Sequence, residues 1–251
     1  MRTPWRVTRK LIAIESKLFL REPIGAFFDL AFPAILLVVL GKAIPGFTQP
    51  SHDIGGRRPI DIYLPVVLAL AIATVSMVTL LNGLATYRER GVLRRLSTTP
   101  MAPAWLLSAQ LVVNVVALLV GSVLAFTAAS VVFGVRPPAN LAGLVLSFIL
   151  GAAAMCSIAL FVAAITPSTR ASSALGTLVY FPMMFLAGVW TPGPTMPETV
   201  RRVADFTPLG AASQAMQDSW AGSSPRLLHL VVMVAITVLS GTAATRLFRW
   251  S

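Results

Sequence analysis

Residues 64–100 read LPVVLALAIATVSMVTLLNGLATYRERGVLRRLSTTP, and this stretch decides the fold. Its first half, Leu64 to Leu81, contains no charged side chain. A helix that crosses the roughly 30 Å of hydrocarbon in a bilayer needs about 20 mostly apolar residues. The second half then places four arginines within a short segment. An apolar helix that runs directly into a basic loop is typical of a membrane span that ends at a headgroup surface.

The whole chain repeats this pattern. It has 251 residues, of which 56% are hydrophobic and 12% charged, whereas soluble proteins carry about 25% charged residues. We therefore predict an all-α integral membrane protein in which residues 1–251 form one domain with six transmembrane helices. The predicted spans are residues 24–44, 62–84, 106–133, 141–165, 171–191 and 227–248.

The basic residues predict the orientation of these spans. If the N-terminus lies in the cytoplasm, most of the 20 Lys and Arg residues fall on the cytoplasmic side. This distribution follows the positive-inside rule and predicts that both termini are cytoplasmic. The net charge of +11 is then a consequence of topology, so no nucleic-acid partner is expected. Seven basic residues fall on the outer side: Lys42, Arg57, Arg58, Arg136, Arg201, Arg202 and Arg226.

Residues 4–22 are too charged to cross a bilayer, yet Leu11, Ile14 and Leu18 recur at helical spacing among basic residues. This pattern predicts an amphipathic helix that lies on the cytoplasmic leaflet. Pro23 should end it, because proline disfavours helical geometry in the residue before it.

The loop at residues 87–103 is the only long cytoplasmic connection between predicted spans. It combines four arginines and one glutamate with apolar Val92, Leu93 and Leu96. A short helix that docks into another protein needs such an apolar edge, with charges that fix its register. The alternative interpretation is a topology signal without a docking role.

Residues 192–224 are rich in proline and apolar in places, but no stretch in them is long enough to cross. We predict short re-entrant helices between spans five and six, because free backbone groups at that depth must be satisfied by protein or water. An ordinary outer loop is the alternative.

Several kinds of chemistry have no support in the sequence. No G-x-x-x-x-G-K-[ST] loop occurs, so this chain is not expected to hydrolyse ATP by that route. Cys156 is the single cysteine and the two histidines are isolated, so no metal site or catalytic group is expected. Asp29 and Lys42 lie toward opposite ends of the first span, where both are expected to snorkel to water. A proton relay is therefore not indicated.

These features resemble the permease subunits of type II ABC exporters, especially the bacterial multidrug and daunorubicin-resistance group. Residues 88–96, followed by Thr99-Pro100, resemble the coupling helix of that family. Pro23, after an amphipathic helix, is similar to the end of its connecting helix. The outer segment of the family is matched by Gly188, Met196-Pro197 and Thr207-Pro208-Leu209.

The resemblance implies a transporter in a bacterial cell membrane, built from two permeases and two separate cytoplasmic ATPase subunits that bind ATP and Mg. The second permease is another copy or a sister chain, and the chain itself carries no cofactor. The implied function is export of an amphipathic, drug-like or lipid-like molecule. The residues that it implies for ATPase coupling are Arg88, Glu89, Arg90, Gly91, Leu93, Arg94, Leu96, Thr99 and Pro100.

The same resemblance implies a substrate pathway along the first, second and fifth spans, although core packing explains its residues equally well. The candidates are Tyr63, Met77, Asn82, Tyr180, Phe181, Met184 and Phe185. Two other functions stay open: an ATP-independent channel or secondary transporter, and export of a lipid-linked glycan within the same family. A membrane enzyme would require a catalytic group that the sequence does not contain.

Overall fold

The computed structural model describes residues 4–92, 104–191 and 196–247, and all the regular structure in these ranges is helical. The elements are α1 (Pro4–Arg21), α2 (Pro23–Ala43), α3 (Pro59–Glu89), α4 (Ala104–Phe133), α5 (Leu141–Ile165), α6 (Thr169–Leu186), α7 (Glu198–Ala204), α8 (Pro208–Trp220) and α9 (Leu227–Leu247).

In the part of the chain that the structure describes, five helices are long and apolar enough to cross a membrane, namely α2, α3, α4, α5 and α9. They coincide with five of the six predicted spans, which confirms an all-α membrane protein. The remaining predicted span, 171–191, forms α6, which is shorter at 18 residues and contains Pro182. A crossing by α6 stays a prediction.

Helix α3 forms the centre of the bundle. In the most apolar 18-residue stretch of α3, 89% is buried, whereas the share is 17% in the corresponding stretches of α2 and of α9. It contacts α2, α4, α5, α6 and α8. The outer helices therefore leave their apolar faces for lipid, whereas α3 packs against five of the other helices.

A π-helical turn interrupts each of the first two spans, at Phe27–Ala31 in α2 and at Val75–Leu80 in α3. Asp29 lies in the first turn and is 1% exposed, so the prediction that it snorkels to water is wrong. The reason is packing: the turn contacts α3 and α4, which enclose the side chain. Among the described residues, neither carboxylate oxygen of Asp29 has a well-formed hydrogen bond. Lys42 is exposed, as expected.

The predicted outer segment, 192–224, contains two short helices, α7 and α8; residues 192–195 lie outside the described ranges. Helix α8 packs inside the bundle against α3 and α5, and Leu209 and Met216 are fully buried. The hydroxyl of Ser213 donates to the carbonyl of Ala187 at 2.7 Å. The depth of α8 in a bilayer stays a prediction, but the backbone of α8 is enclosed by protein, as a re-entrant helix requires.

Gly121 tests the packing of α4 on the first π-helical turn. A Cβ at this position would collide with the backbone carbonyl of Asp29, whereas a Cβ on Gly241 in α9 would meet open space. Alanine favours an exposed helix over glycine by about 1 kcal/mol, but overpacking costs about 1–3 kcal/mol. We expect Gly121→Ala to lower the thermal unfolding midpoint of the purified protein, and Gly241→Ala to leave it unchanged or raised. Equal midpoints for the two variants would contradict this packing.

Candidate functional site

Hydrogen bonds define the two ends of the bundle. One end, called the Arg88 end, contains Glu15 of α1, the C-termini of α3 and α5 and the N-terminus of α6. The opposite end, called the Arg58 end, contains the start of α3 and the loop between α4 and α5, since Arg58 donates to the carbonyls of Phe133 and Gly134 at 3.1 and 3.3 Å. The predicted coupling loop begins at the Arg88 end, where residues 87–92 of it are described.

Arg88 binds the C-terminus of α5. Its Nη1 donates to the carbonyls of Ala163, Ala164 and Thr166 at 2.9, 3.0 and 3.0 Å. The last carbonyls of a helix have no partner within the helix and carry partial negative charge, so a guanidinium satisfies both needs. The side chain of Arg88 therefore holds the end of α3 on the end of α5.

Glu89 binds the N-terminus of α6. Its Oε2 accepts a hydrogen bond from the backbone amide of Thr169 at 3.0 Å. The hydroxyl of Ser168 caps the same helix by accepting from the amide of Ala171 at 3.2 Å. A carboxylate is favoured at this position because the first amides of a helix are unpaired and carry partial positive charge.

Tyr87 binds the amphipathic helix α1. Its hydroxyl donates to Oε1 of Glu15 at 2.8 Å, and it lies 3.0 Å from Oε2. Burial raises the pKa of Glu15, and the tyrosine hydrogen bond acts in the opposite direction. On α1, Glu15 is buried while Ile14 and Leu18 are exposed. The polar contact thus faces the bundle, and apolar side chains remain for lipid.

Three consecutive residues, Tyr87, Arg88 and Glu89, consequently connect the end of α3 to α1, α5 and α6. We call them the anchor triad. Only Arg88 and Glu89 belong to the predicted coupling set, and the structure gives both of them partners within the chain. Of that set, Arg90 is exposed and Gly91 has a left-handed φ of 66°. The other members lie outside the described residues: Leu93, Arg94, Leu96, Thr99 and Pro100.

The predicted pathway residues fall into three environments. The first contains tyrosines that form hydrogen bonds between elements. The hydroxyl of Tyr63 donates to the carbonyl of Val189 at 2.7 Å, and the hydroxyls of Tyr180 and Thr74 share a hydrogen bond at 3.0 Å. Asn82 accepts from the hydroxyl of Ser173 at 2.6 Å. The remaining four lie on α3 and α6. Met77 and Met184 are buried, whereas Phe181 and Phe185 are exposed. Their role in transport stays a prediction.

Sequence reasoning missed the partners of the anchor triad. Glu15 carried a signal, because it is the one acidic residue of α1. The acceptors of Arg88 are backbone carbonyls, which no side-chain pattern reveals. For metals, the described residues contain no group of three or more His, Cys, Asp or Glu that could hold an ion.

Among the described residues, five apolar helices long enough to cross a membrane, with a central helix whose end is bonded to three neighbouring helices, define a multi-pass helical membrane protein. Comparison with protein families is more specific: the model for the ABC-2 type transporter matches residues 7–219. The chain belongs to this family and is a membrane permease component of an ABC transporter. Membership implies that it works with an ABC ATPase subunit. No curated protein matches the chain significantly.

A double-mutant cycle on Tyr87 and Glu15 tests the link between α1 and α3. Tyr87→Phe leaves a buried carboxylate without its donor, and Glu15→Gln removes the charge. Hydrogen bonds to charged groups contribute about 1.5–3 kcal/mol. We expect a coupling free energy above about 1 kcal/mol when the two single variants and the double variant are unfolded by heat in detergent. Additive effects would show that the two side chains do not interact.

Proposed function

We propose that this chain is the permease of a bacterial exporter driven by a separate cytoplasmic ATPase. The ATPase binds the segment that follows the anchor triad. The anchor triad is the observation that carries the proposal. A free topology signal needs no bonds to neighbouring helices, whereas a segment that transmits force must be fixed to what it moves. Here the last three residues before the exposed Arg90 bind three other helices.

Force applied beyond Arg90 would reach the bundle along these bonds. Displacement of the end of α3 would pull the end of α5 through Arg88 and the start of α6 through Glu89. Because α1 is held through Glu15, the amphipathic helix would move with them and act as a second lever on the same partner. Packed helices change between discrete arrangements, so a small displacement at one end can open the other.

The contact between α3 and α6 is the proposed site of that opening. Two hydrogen bonds connect these helices. The hydroxyl of Thr74 pairs with the hydroxyl of Tyr180, and the hydroxyl of Ser173 donates to the side-chain amide oxygen of Asn82. The opposite face of α6 is apolar and exposed: Leu178 is 68% exposed and Phe181 is 54% exposed. We propose that this face borders the pathway between two permeases, a homodimer or a pair of sister chains. An apolar and aromatic lining suits an amphipathic, drug-like or lipid-like cargo.

In this proposal the chain hydrolyses nothing itself. ATP and Mg²⁺ bind to the partner subunit, and the permease supplies the docking segment and the pathway. The proposed orientation puts the Arg88 end and both termini in the cytoplasm, and the Arg58 end outside a bacterial inner membrane. Efflux of a drug, with antibiotic resistance as its consequence, is the proposed role, in keeping with the daunorubicin-like resemblance of residues 88–100.

Glu89→Lys tests coupling directly. It reverses the charge at the N-terminus of α6, where the backbone amides repel a cation, and we expect loss of transport and of permease-stimulated ATPase activity. Leu93→Asp, which alters the predicted docking edge, should have the same effect. The measurement uses the permease purified in mild detergent together with the ATPase that co-purifies with it, then reconstituted in vesicles.

The matched control is Glu198→Lys at the Arg58 end, which makes the same charge reversal on an exposed side chain whose partner within the described residues is Arg202. It should insert and couple as the unchanged protein does. Normal coupling in Glu89→Lys and Leu93→Asp would remove the basis of the docking proposal. Transport without any co-purifying ATPase would instead favour a channel or a secondary transporter.

A further inference from the structure

A single cavity at the Arg58 end collects most of the outer basic residues. Its volume is about 780 Å³, within the range of roughly 300–1,000 Å³ that is usual for ligand sites. We call it the arginine cavity, after the five arginines that line it: Arg57, Arg58, Arg136, Arg201 and Arg226. They come from distant parts of the chain, namely the loop before α3, the loop between α4 and α5, helix α7, and the residue before α9.

Two of these arginines are neutralised inside the cavity. Arg58 forms a two-point ion pair with Asp61, with Nε to Oδ2 and Nη2 to Oδ1 both at 2.8 Å. Arg226 lies 3.7 Å from Asp218. Burial raises the pKa of Asp218, and the charges of Arg226, His229 and Arg57 oppose this shift. Both acidic residues of the lining are therefore paired with an arginine.

The other three arginines form no such ion pair, although the charge of Arg57 acts on Asp218 at longer range. Across the described residues, the side chains of Arg57, Arg136 and Arg201 form no hydrogen bond and no ion pair. All three are exposed at the mouth of the cavity, where a ligand can reach them. Three like charges around one concave surface repel one another, and the surface attracts anions to the cavity.

Chance placement does not account for this arrangement. The positive-inside rule selects against arginine on the outer side of short loops, yet five of the seven outer basic residues line the same cavity. Arg202 is an outer arginine that does not line the cavity. It is adjacent to Arg201, but its side chain is 74% exposed and pairs with Glu198 at 2.5 Å.

We propose that the arginine cavity binds a phosphate-bearing anion, either the headgroup of an anionic phospholipid or a free phosphate ion. A guanidinium donates in a planar fork that matches phosphate oxygens, and a tetrahedral anion with several acceptors can bind several arginines at once. Gln214 and Gln217 of α8 add amide groups to the lining, and Trp220 adds an indole ring. The cavity lies where α3, α5 and α9 begin and α4 ends, which is the depth of lipid headgroups.

The clustering and the charge of the arginines carry the binding site, whereas the argument from the positive-inside rule and the position at the outer leaflet rest on the orientation proposed above. Failure of phosphate binding would leave ATPase coupling untouched, because coupling is tested at the opposite end of the bundle. Conversely, loss of coupling in Glu89→Lys says nothing about this cavity.

The experiment measures binding by calorimetry to the whole permease, purified in phosphate-free dodecyl maltoside. The probes are dihexanoyl phosphatidylglycerol, inorganic phosphate, and dihexanoyl glycerol, which has the same chains without the phosphate. Arg201→Gln and Arg136→Gln are compared with Arg202→Gln, the matched control. Loss of one charge-assisted contact should weaken binding about tenfold in each cavity variant and leave the Arg202→Gln variant unchanged. Both cavity arginines are exposed, so unfolding midpoints should stay equal and confirm that the variants fold.

The outcomes separate the two sources of phosphate. Binding of the phospholipid without binding of inorganic phosphate assigns a lipid headgroup, and binding of inorganic phosphate without binding of the phospholipid assigns a free phosphate. If both bind, competition between them shows that they share the cavity, and the tighter of the two identifies the source. Either result supports the site if the cavity variants weaken it. Absence of binding, equal binding of dihexanoyl glycerol, or an equal effect of Arg202→Gln would overturn it.

Discussion

The hydrogen bonds of Tyr87, Arg88 and Glu89 are the constraint on which the rest of the structure depends. They fix the end of the central helix to three other elements, immediately before the basic segment of the sequence. Arg88 and Glu89 use the same physical principle in opposite senses, since a cation meets the carbonyl end of α5 and an anion meets the amide end of α6. The α5–α6 connection is thus held between two oppositely charged side chains of neighbouring residues.

Sequence patterns predicted the helices because burial in lipid imposes a simple rule, about 20 apolar residues for each crossing. The limits of α5 were predicted to the residue because Asn140 and Thr166, both polar, flank an uninterrupted apolar run. The weakest prediction was the span at 171–191, where the helix that forms is shorter. Asp29 was misplaced because its environment depends on a π-helical turn and on α4, and neither can be read from its neighbours in sequence.

The candidate site was predicted in outline only. Apolar and basic residues in the loop at 87–103 indicated a docking element, but nothing in that pattern showed that Arg88 and Glu89 bind the ends of α5 and α6. Backbone groups are the partners in both cases, and their positions exist only once the helices are packed. The arginine cavity has the same origin, because its arginines are spread over residues 57–226 and are brought together only by the fold.

Sidedness is the most direct test of the account, because a coupling element must face the compartment that supplies ATP. Arg90→Cys introduces an exposed thiol next to the anchor triad, and the single natural cysteine, Cys156, is buried, so the unchanged protein serves as the blank. A membrane-impermeant maleimide should label Arg90→Cys in inside-out vesicles and leave it unlabelled in right-side-out vesicles. Labelling from the outer side alone would put the basic segment out of reach of any cytoplasmic ATPase and would contradict the account.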